Sequence, residues 1–216
     1  MLKRLVFFFI FSTSFVSAQI DYSDSWEDFF SYNNVKDFVK VDNMLYALSD
    51  NAIFTYDDTT QEIEKLSSVQ GLSGETTSAI HYSIETNRLV IGYENGLIEV
   101  VDSDGSITIS TDIVSFNQTG EKSINDIFEY QGKLYLSTSF AIVEYDITEL
   151  EFGDTFFIGN NSTDVNIHQI TVFNDRFFAA TEDGVFYADS ANPNLIDFNN
   201  WNTITSANNN FKNITV

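Results

Sequence analysis

Cysteine is absent, proline occurs once, histidine twice, and basic residues number only 10 against 32 acidic ones in a chain of 216. Without a thiol there is no disulfide, thiolate zinc site, iron–sulfur cluster or cysteine nucleophile. His81 and His168 leave little material for a Ser–His–Asp triad or a multi-histidine metal site. The net charge of −22 repels nucleic-acid phosphates and anionic lipid head groups, which argues against a nucleic-acid partner. What the chain has in plenty is apolar and aromatic surface: 43% hydrophobic residues, with 21 Phe and 10 Tyr. That composition suits a packed, sheet-rich core and not a disordered chain.

The first residues read as an export signal. Lys3 and Arg4 precede the apolar run Leu5 to Phe11, and Val16-Ser17-Ala18 supplies the small residues a signal peptidase needs. Cleavage after Ala18 is expected, since the run is too short for the ~20 residues that span a bilayer. The mature chain, residues 19–216, would then carry 8 basic against 32 acidic residues, or −24.

One unit recurs along the rest of the chain. Leu45 to Leu48 returns as Leu89 to Gly92, Leu134 to Ser137 and Phe177 to Ala180, at steps of 44, 45 and 43 residues. Turn signals flank each copy, Asp42-Asn43, Thr86-Asn87, Gln131-Gly132 and Asn174-Asp175 before it and Asn51-Ala52, Asn95-Gly96, Phe140-Ala141 and Asp183-Gly184 after it. An apolar strand ending in Asp57, Asp102, Asp146 or Asp189 follows each second turn. An upstream strand closes on Phe38, Ile80, Ile127 or Ile170, and a fifth copy starts at Phe211 to Ile214. A fourth strand is expected at Ile63 to Leu66, Ile107 to Ile109, Phe156 to Ile158 and Trp201 to Ile204. Four short strands per repeat of about 44 residues match an all-β fold, a β-propeller of four-stranded antiparallel blades. The near-continuous apolar runs fit strands covered on both faces. The blades are expected at about 34–66, 77–110, 124–158 and 167–205.

Phase adds a further expectation. Trp26 to Tyr32 reads as the outermost strand of a blade whose inner strands come from elsewhere in the chain, as in propellers that join their two ends. With Phe211 to Val216 beginning another blade, the sequence is expected to be an incomplete propeller, an N-terminal piece of a longer protein, and not a closed four-bladed ring. Two bare blade faces would make the isolated piece prone to aggregate.

Several strings, in order, resemble one family. Trp26 to Tyr32, Gly71-Leu72-Ser73-Gly74-Glu75-Thr76, Gly92-Tyr93-Glu94-Asn95-Gly96-Leu97 and Leu150 to Gly159 are similar to the N-terminal propeller of the PorZ family, components of the type IX secretion system of Bacteroidota. The resemblance implies a larger protein with two propellers and a C-terminal β-sandwich. It also implies a place at the cell surface beside a sortase-like protease that attaches cargo to anionic lipopolysaccharide. Delivery of that lipopolysaccharide would belong to the C-terminal domain, which the sequence lacks. The charge is consistent with that division, because so acidic a propeller repels an anionic polysaccharide. Gly71-Leu72-Ser73 before Ile80 also resembles, more loosely, the propellers of hybrid two-component sensors.

Candidate chemical sites are few, and no catalytic, cofactor or metal residue is expected. Asp102-Ser103-Asp104-Gly105 resembles the start of a calcium loop but lacks the full spacing and the distal Glu, so a hairpin turn is the stronger reading. His81 and His168 are expected on innermost strands, in packing or channel-lining roles. Asp57, Asp102, Asp146 and Asp189 recur once per repeat, which favours a turn-forming role over the paired carboxylates of a glycosidase. Asn117, Asn161 and Asn213 fit an N-glycosylation pattern that chance explains, and Asp58-Thr59-Thr60 and Asp189-Ser190-Ala191 resemble bacterial O-glycosylation sites. Beside the secretion scaffold, two readings remain: the glycan-sensing propeller of a hybrid two-component regulator, and a propeller glycosidase or lyase.

Overall fold

The computed structural model describes residues 29–204 and 209–215, and they form four antiparallel sheets of four strands in simple meander order. The first sheet holds β1 (Val35–Val41), β2 (Met44–Ser49), β3 (Ala52–Asp57) and β4 (Ile63–Leu66). The second holds β5 (Thr77–Ser83), β6 (Arg88–Tyr93), β7 (Ile98–Val101) and β8 (Ile107–Ser110), and a single helical turn, α1 (Asp112–Ser115), follows it. The third is β9 (Ile124–Tyr130), β10 (Lys133–Thr138), β11 (Ile142–Asp146) and β12 (Glu151–Phe156). The fourth is β13 (Ile167–Phe173), β14 (Arg176–Thr181), β15 (Gly184–Asp189) and β16 (Asn202–Thr203). The first strands β1, β5, β9 and β13 lie against one another in succession, so the sheets are the blades of a propeller with these strands innermost.

The apolar runs are explained by what each strand touches. Successive residues of a strand point to opposite faces, and here the two faces belong to two different joints. Ile91 packs toward the first blade with Leu48 and Ile53, while its neighbour Val90 packs toward the third with Ile127 and Leu136. In the third blade Leu134 and Leu136 face the second, and Tyr135 between them faces Phe177 and Trp201 of the fourth. There is thus one apolar cluster per joint, and no blade has a core of its own. Close approach at the second joint requires two glycines. A Cβ on Gly92 would meet Ile124 Cγ2 at 2.8 Å, and one on Gly96 would meet Ile113 Cγ2 at 2.5 Å.

The first blade shows what a missing neighbour leaves. Phe38 is 64% exposed, whereas the equivalent Ile80, Ile127 and Ile170 are exposed by only 7%, 7% and 1%. Among the described residues the blades form an open arc, β1 and β13 not packing together to close a ring of four. Residues 29–32 of the expected outer strand Trp26 to Tyr32 are not a strand, and Tyr32 packs edge-on against Phe54 with Lys65 over its ring. Residues 26–28 and the expected signal peptide lie outside the described residues. Phe211 to Ile214 likewise is not a strand, but it is tied to the fourth blade, Phe211 N–H donating to Thr181 O at 3.0 Å.

The outer strand of the third blade also departs from expectation, running over Glu151–Phe156 and not Phe156 to Ile158. The cause is a tight turn. Asp146 Oδ1 accepts from Thr148 N at 2.9 Å and Glu149 N at 3.0 Å, and Leu150, at φ 61°, donates its N–H to Asp146 O, so the chain reverses at once. An outermost strand needs little apolar surface, which is why hydropathy pointed too far downstream. The fourth blade's outer strand is shorter than expected, Asn202–Thr203.

Glu99 on β7 is fully buried, and it explains the Gly71–Thr76 string. Its carboxylate accepts from Ser73 N at 2.8 Å and from the Tyr93 hydroxyl, pinning the loop that joins the first two blades while Leu72 fills the cluster beneath. Burial and then the Glu99 bond push the Tyr93 hydroxyl pKa far up, so it stays a donor. Glu99→Ala strands the buried Tyr93 hydroxyl and the part-buried Ser73 N–H and is expected to cost roughly 1–3 kcal/mol, read as a lower urea midpoint at unchanged slope.

Candidate functional site

All four inner strands carry the same irregularity near their first residues. Val35 pairs with Ser49 but Asp37 with Leu48, so Lys36 is an extra residue on its strand. The same register shift isolates Ser78, Asn125 and His168 on β5, β9 and β13. A bulge leaves its extra residue unpaired and re-aims its side chain. Here it turns that side chain toward the next blade, and the residue after it joins in.

At the first joint Lys36 Nζ donates to Thr77 O at 2.8 Å and to Glu94 Oε1 at 3.2 Å, while the Asp37 carboxylate accepts from the backbone N–H of Phe38 and of Ile80. At the third joint Asn125 Nδ2 donates to Ile167 O at 2.6 Å, and Asp126 accepts from the N–H of Ile127 and Ile170 and from Gln169. Beyond the fourth blade Gln169 Oε1 accepts from Ile214 N at 2.8 Å, and His168 Nε2 sits 3.1 Å from Asn210 Oδ1. At the first and third joints the pair is a latch, a donor reaching a carbonyl and an acceptor reaching an amide of the following blade, and His168-Gln169 meets the Asn210 side chain and the Ile214 N–H.

The second joint breaks the pattern. Ser78 is too short and Ala79 has no polar atom, and Ser78 Oγ is shielded from solvent without a partner. This joint is instead tied at the opposite end of the strands. His81 Nε2 meets Glu129 Oε2 at 2.9 Å, Ser83 Oγ donates to Glu129 Oε1 at 2.9 Å, and Arg88 bridges Asp102 Oδ1 at 2.7 Å and Ile147 O at 2.5 Å. Where the latch is lacking, a polar cleft of about 410 Å³ opens, lined by Lys36, Thr77, Ser78, Glu94, Glu121 and Ser123.

The electrostatics follow from this layout. With Ala79 between them, Asp37 and Asp126 feel one another. Burial, and then Asp37, push the Asp126 carboxyl up to about 6, and burial also raises Asp37. Burial, and then Lys212, lower His168.

The residues singled out from sequence fall as follows. His81 and His168 both lie on innermost strands, His81 in the Glu129 tie and His168 as a bulge residue, and the two are not brought together. Asp57, Asp146 and Asp189 each accept from a backbone N–H two residues on, at 2.6, 2.9 and 2.9 Å, as turn formers do. Asp102 differs and pairs with Arg88. Asp102 to Gly105 closes the β7–β8 hairpin, Gly105 N donating to Asp102 O at 2.9 Å. Among the described residues no three His, Asp or Glu side chains converge as a metal set. The latch ring itself escaped the sequence reading. The usable signal was a polar pair two residues ahead of each inner-strand Ile or Phe, Lys36-Asp37, Asn125-Asp126 and His168-Gln169, interrupted by Ser78-Ala79.

A family model described as the type IX secretion PorZ N-terminal β-propeller domain matches residues 45–202, most of the chain and three of the four bulges. The chain belongs to the PorZ N-terminal β-propeller family. Among solved structures, PorZ of Porphyromonas gingivalis, a surface component of the type IX secretion system, superposes with a TM-score of 0.68 at 21% identity over 79% of this chain and 22% of that one. The extracellular domain of the hybrid two-component system BT3049 of B. thetaiotaomicron gives 0.61 at 17% identity, covering 73% and 22%. Sqt1 of Saccharomyces cerevisiae gives 0.60 at 20% identity, covering 76% and 48%. At these identities the likeness is one of fold, and the chain spans about a fifth of the first two structures. No curated protein matches the sequence.

Asp126 generates a signed pH dependence. Its folded pKa of about 6 exceeds the ordinary 3.8, so its contribution is fully present below pH 3.8 and is lost as pH rises through 6. The cost at neutral pH is at most about 3 kcal/mol. Asp126→Asn keeps an acceptor for Ile170 N, and thermal melts are expected to show it more stable than wild type at pH 7.5 but not at pH 4.

Proposed function

We propose that this PorZ-family propeller is a non-catalytic scaffold of a type IX secretion component at the cell surface, acting in delivery of anionic lipopolysaccharide to the sortase-like attachment complex. The observation that carries the reading is the family match over residues 45–202. A rigid arc of mutually covered blades presents the loops at its two ends to protein partners and positions a distal domain. The polysaccharide would be held by that distal domain, since a chain of net charge −22 repels an anionic polymer. The test is gene deletion in a Bacteroidota host with this secretion system. Cargo is expected to be released into the medium instead of retained on the surface, and retention by a full-length copy but not by one lacking the propeller supports the assignment. Unchanged retention in the deletion strain would refute it.

The likeness to the BT3049 extracellular domain favours one second reading, a glycan-sensing propeller of a two-component regulator. That reading requires the deletion strain to lose a transcriptional response to a polysaccharide while cargo attachment stays intact. A hydrolytic or lytic role is tested by reducing-end release from surface polysaccharides, which the scaffold reading expects to be nil. The purified chain is also expected not to be retained on immobilised anionic lipopolysaccharide at physiological salt, and retention would contradict the division of labour proposed here.

A further inference from the structure

We propose that the outward face of the fourth blade docks a further blade of the same repeat, and that Arg176 clasps the tight turn after that blade's third strand. The second joint shows the contact. Arg88 opens β6 and points toward the third blade, its neighbour Leu89 packing toward the first. Its Nε donates to Asp102 Oδ1 at 2.7 Å, and its Nη1 donates to Ile147 O and Thr148 O at 2.5 and 3.1 Å. Those two carbonyls belong to the turn after β11, where Asp146 Oδ1 accepts from Thr148 N and Glu149 N and Leu150 takes φ 61°. The first blade builds the same turn: Asp57 Oδ1 accepts from Thr59 N and Thr60 N, and Gln61 takes φ 61°. The turn is a repeated part, and so is the arginine.

Arg176 opens β14 as Arg88 opens β6, and it stands opposite Asp189. Phe177 packs toward the third blade, so Arg176 and Phe178 point outward, away from it. There the contacts stop. Among the described residues Arg176 donates to no acceptor and pairs with no acid, and its guanidinium rests 5.6 Å from the centre of the Tyr187 ring. Around it lies apolar surface without a cover: Phe173 is 50% exposed, Phe178 stacks on Tyr187 at 6.0 Å, and Phe173, Asn174, Arg176 and Phe178 bound an open cleft of about 420 Å³. In the second blade the counterparts of Phe178 and Tyr187 are Val90 and Val100, both fully buried against the third.

The inner end of the same face is already taken as a next blade would take it. Gln169 Oε1 holds Ile214 N at 2.8 Å, as Asp37 holds Ile80 N and Asp126 holds Ile170 N. A blade opened by residues 211–215 lies over Phe178 and brings its turn to Arg176, which leaves Tyr187 to bridge Asp189 and two carbonyls. A guanidinium suits this task because its planar fork reaches an acid and a pair of carbonyls at once. A second copy of the chain would have to displace residues 211–215 to cover the same surface. The contact is independent of the secretion role proposed above.

The test compares hydrogen exchange of the peptides spanning β14 and β15 between the full-length protein and the 216-residue chain. These strands are expected to exchange more slowly in the full-length protein. Arg176→Met is expected to raise their exchange about tenfold there, the loss of charge-assisted contacts, and to leave the 216-residue chain as it was. Arg176→Lys keeps the charge but not the fork and is expected to fall between. Should Arg176→Met not fold, Arg176→Lys decides alone, an unchanged exchange in the full-length protein counting against the clasp. The same change in both proteins would mean that Arg176 acts through Tyr187, and no change in the full-length protein that no turn is held; either overturns the proposal. So would an Arg176-dependent dimer of the 216-residue chain in sedimentation, which assigns the face to a second copy.

Discussion

A sheet that is apolar on both faces can persist in water only between two others, and every other feature of this chain is subordinate to that need. Val90 and Ile91 are neighbours in sequence, yet they serve different joints, so neither the second blade nor any other has a private core. Stability is therefore a property of joints. The size of the debt left by an absent neighbour is visible at Phe38, exposed on the first blade where its three counterparts are covered.

Apolar packing alone does not fix how one blade is set against the next. That task falls to polar contacts of two kinds, the bulge latches near the start of the inner strands and the ties of His81, Glu129 and Arg88 toward their other end. The bulges are what make the first kind available, since a regular ladder would leave Lys36 and Asn125 facing along their own sheet. The carboxylates of Asp37 and Asp126, partly desolvated, hold two backbone amides each and carry an electrostatic cost for doing so, a trade accepted because an unpaired inner-strand N–H would cost as much. The second joint, tied only at the far end of the strands, is the place where the propeller is least uniform.

Most of the architecture was legible in the sequence because it is written four times. The spacing of Leu45, Leu89, Leu134 and Phe177 announced the blades, and the acids Asp57, Asp146 and Asp189 announced the turns. What was not legible depended on contacts between repeats. The outer strand Glu151–Phe156 is polar enough to pass for a loop, and only the turn at Asp146 and Leu150 reveals it. Tyr32 sits on Phe54 because of where the first blade's outer half lies in space, which no local pattern encodes. The latch ring is hidden for a similar reason: its members are Lys, Ser, Asn and His, which share a position and a direction but no chemistry. Their common register emerges only once the bulges are seen.

Native-state hydrogen exchange across a denaturant series tests the dependence of each blade on its neighbours most directly. Amides of β5, β6, β9 and β10, covered on both sides, are expected to exchange only through global unfolding and to converge on one free energy. Those of β1 are expected to exchange through a smaller, separate opening. Equal protection of β1 and β9, or blades that each open at a free energy of their own, would contradict the account.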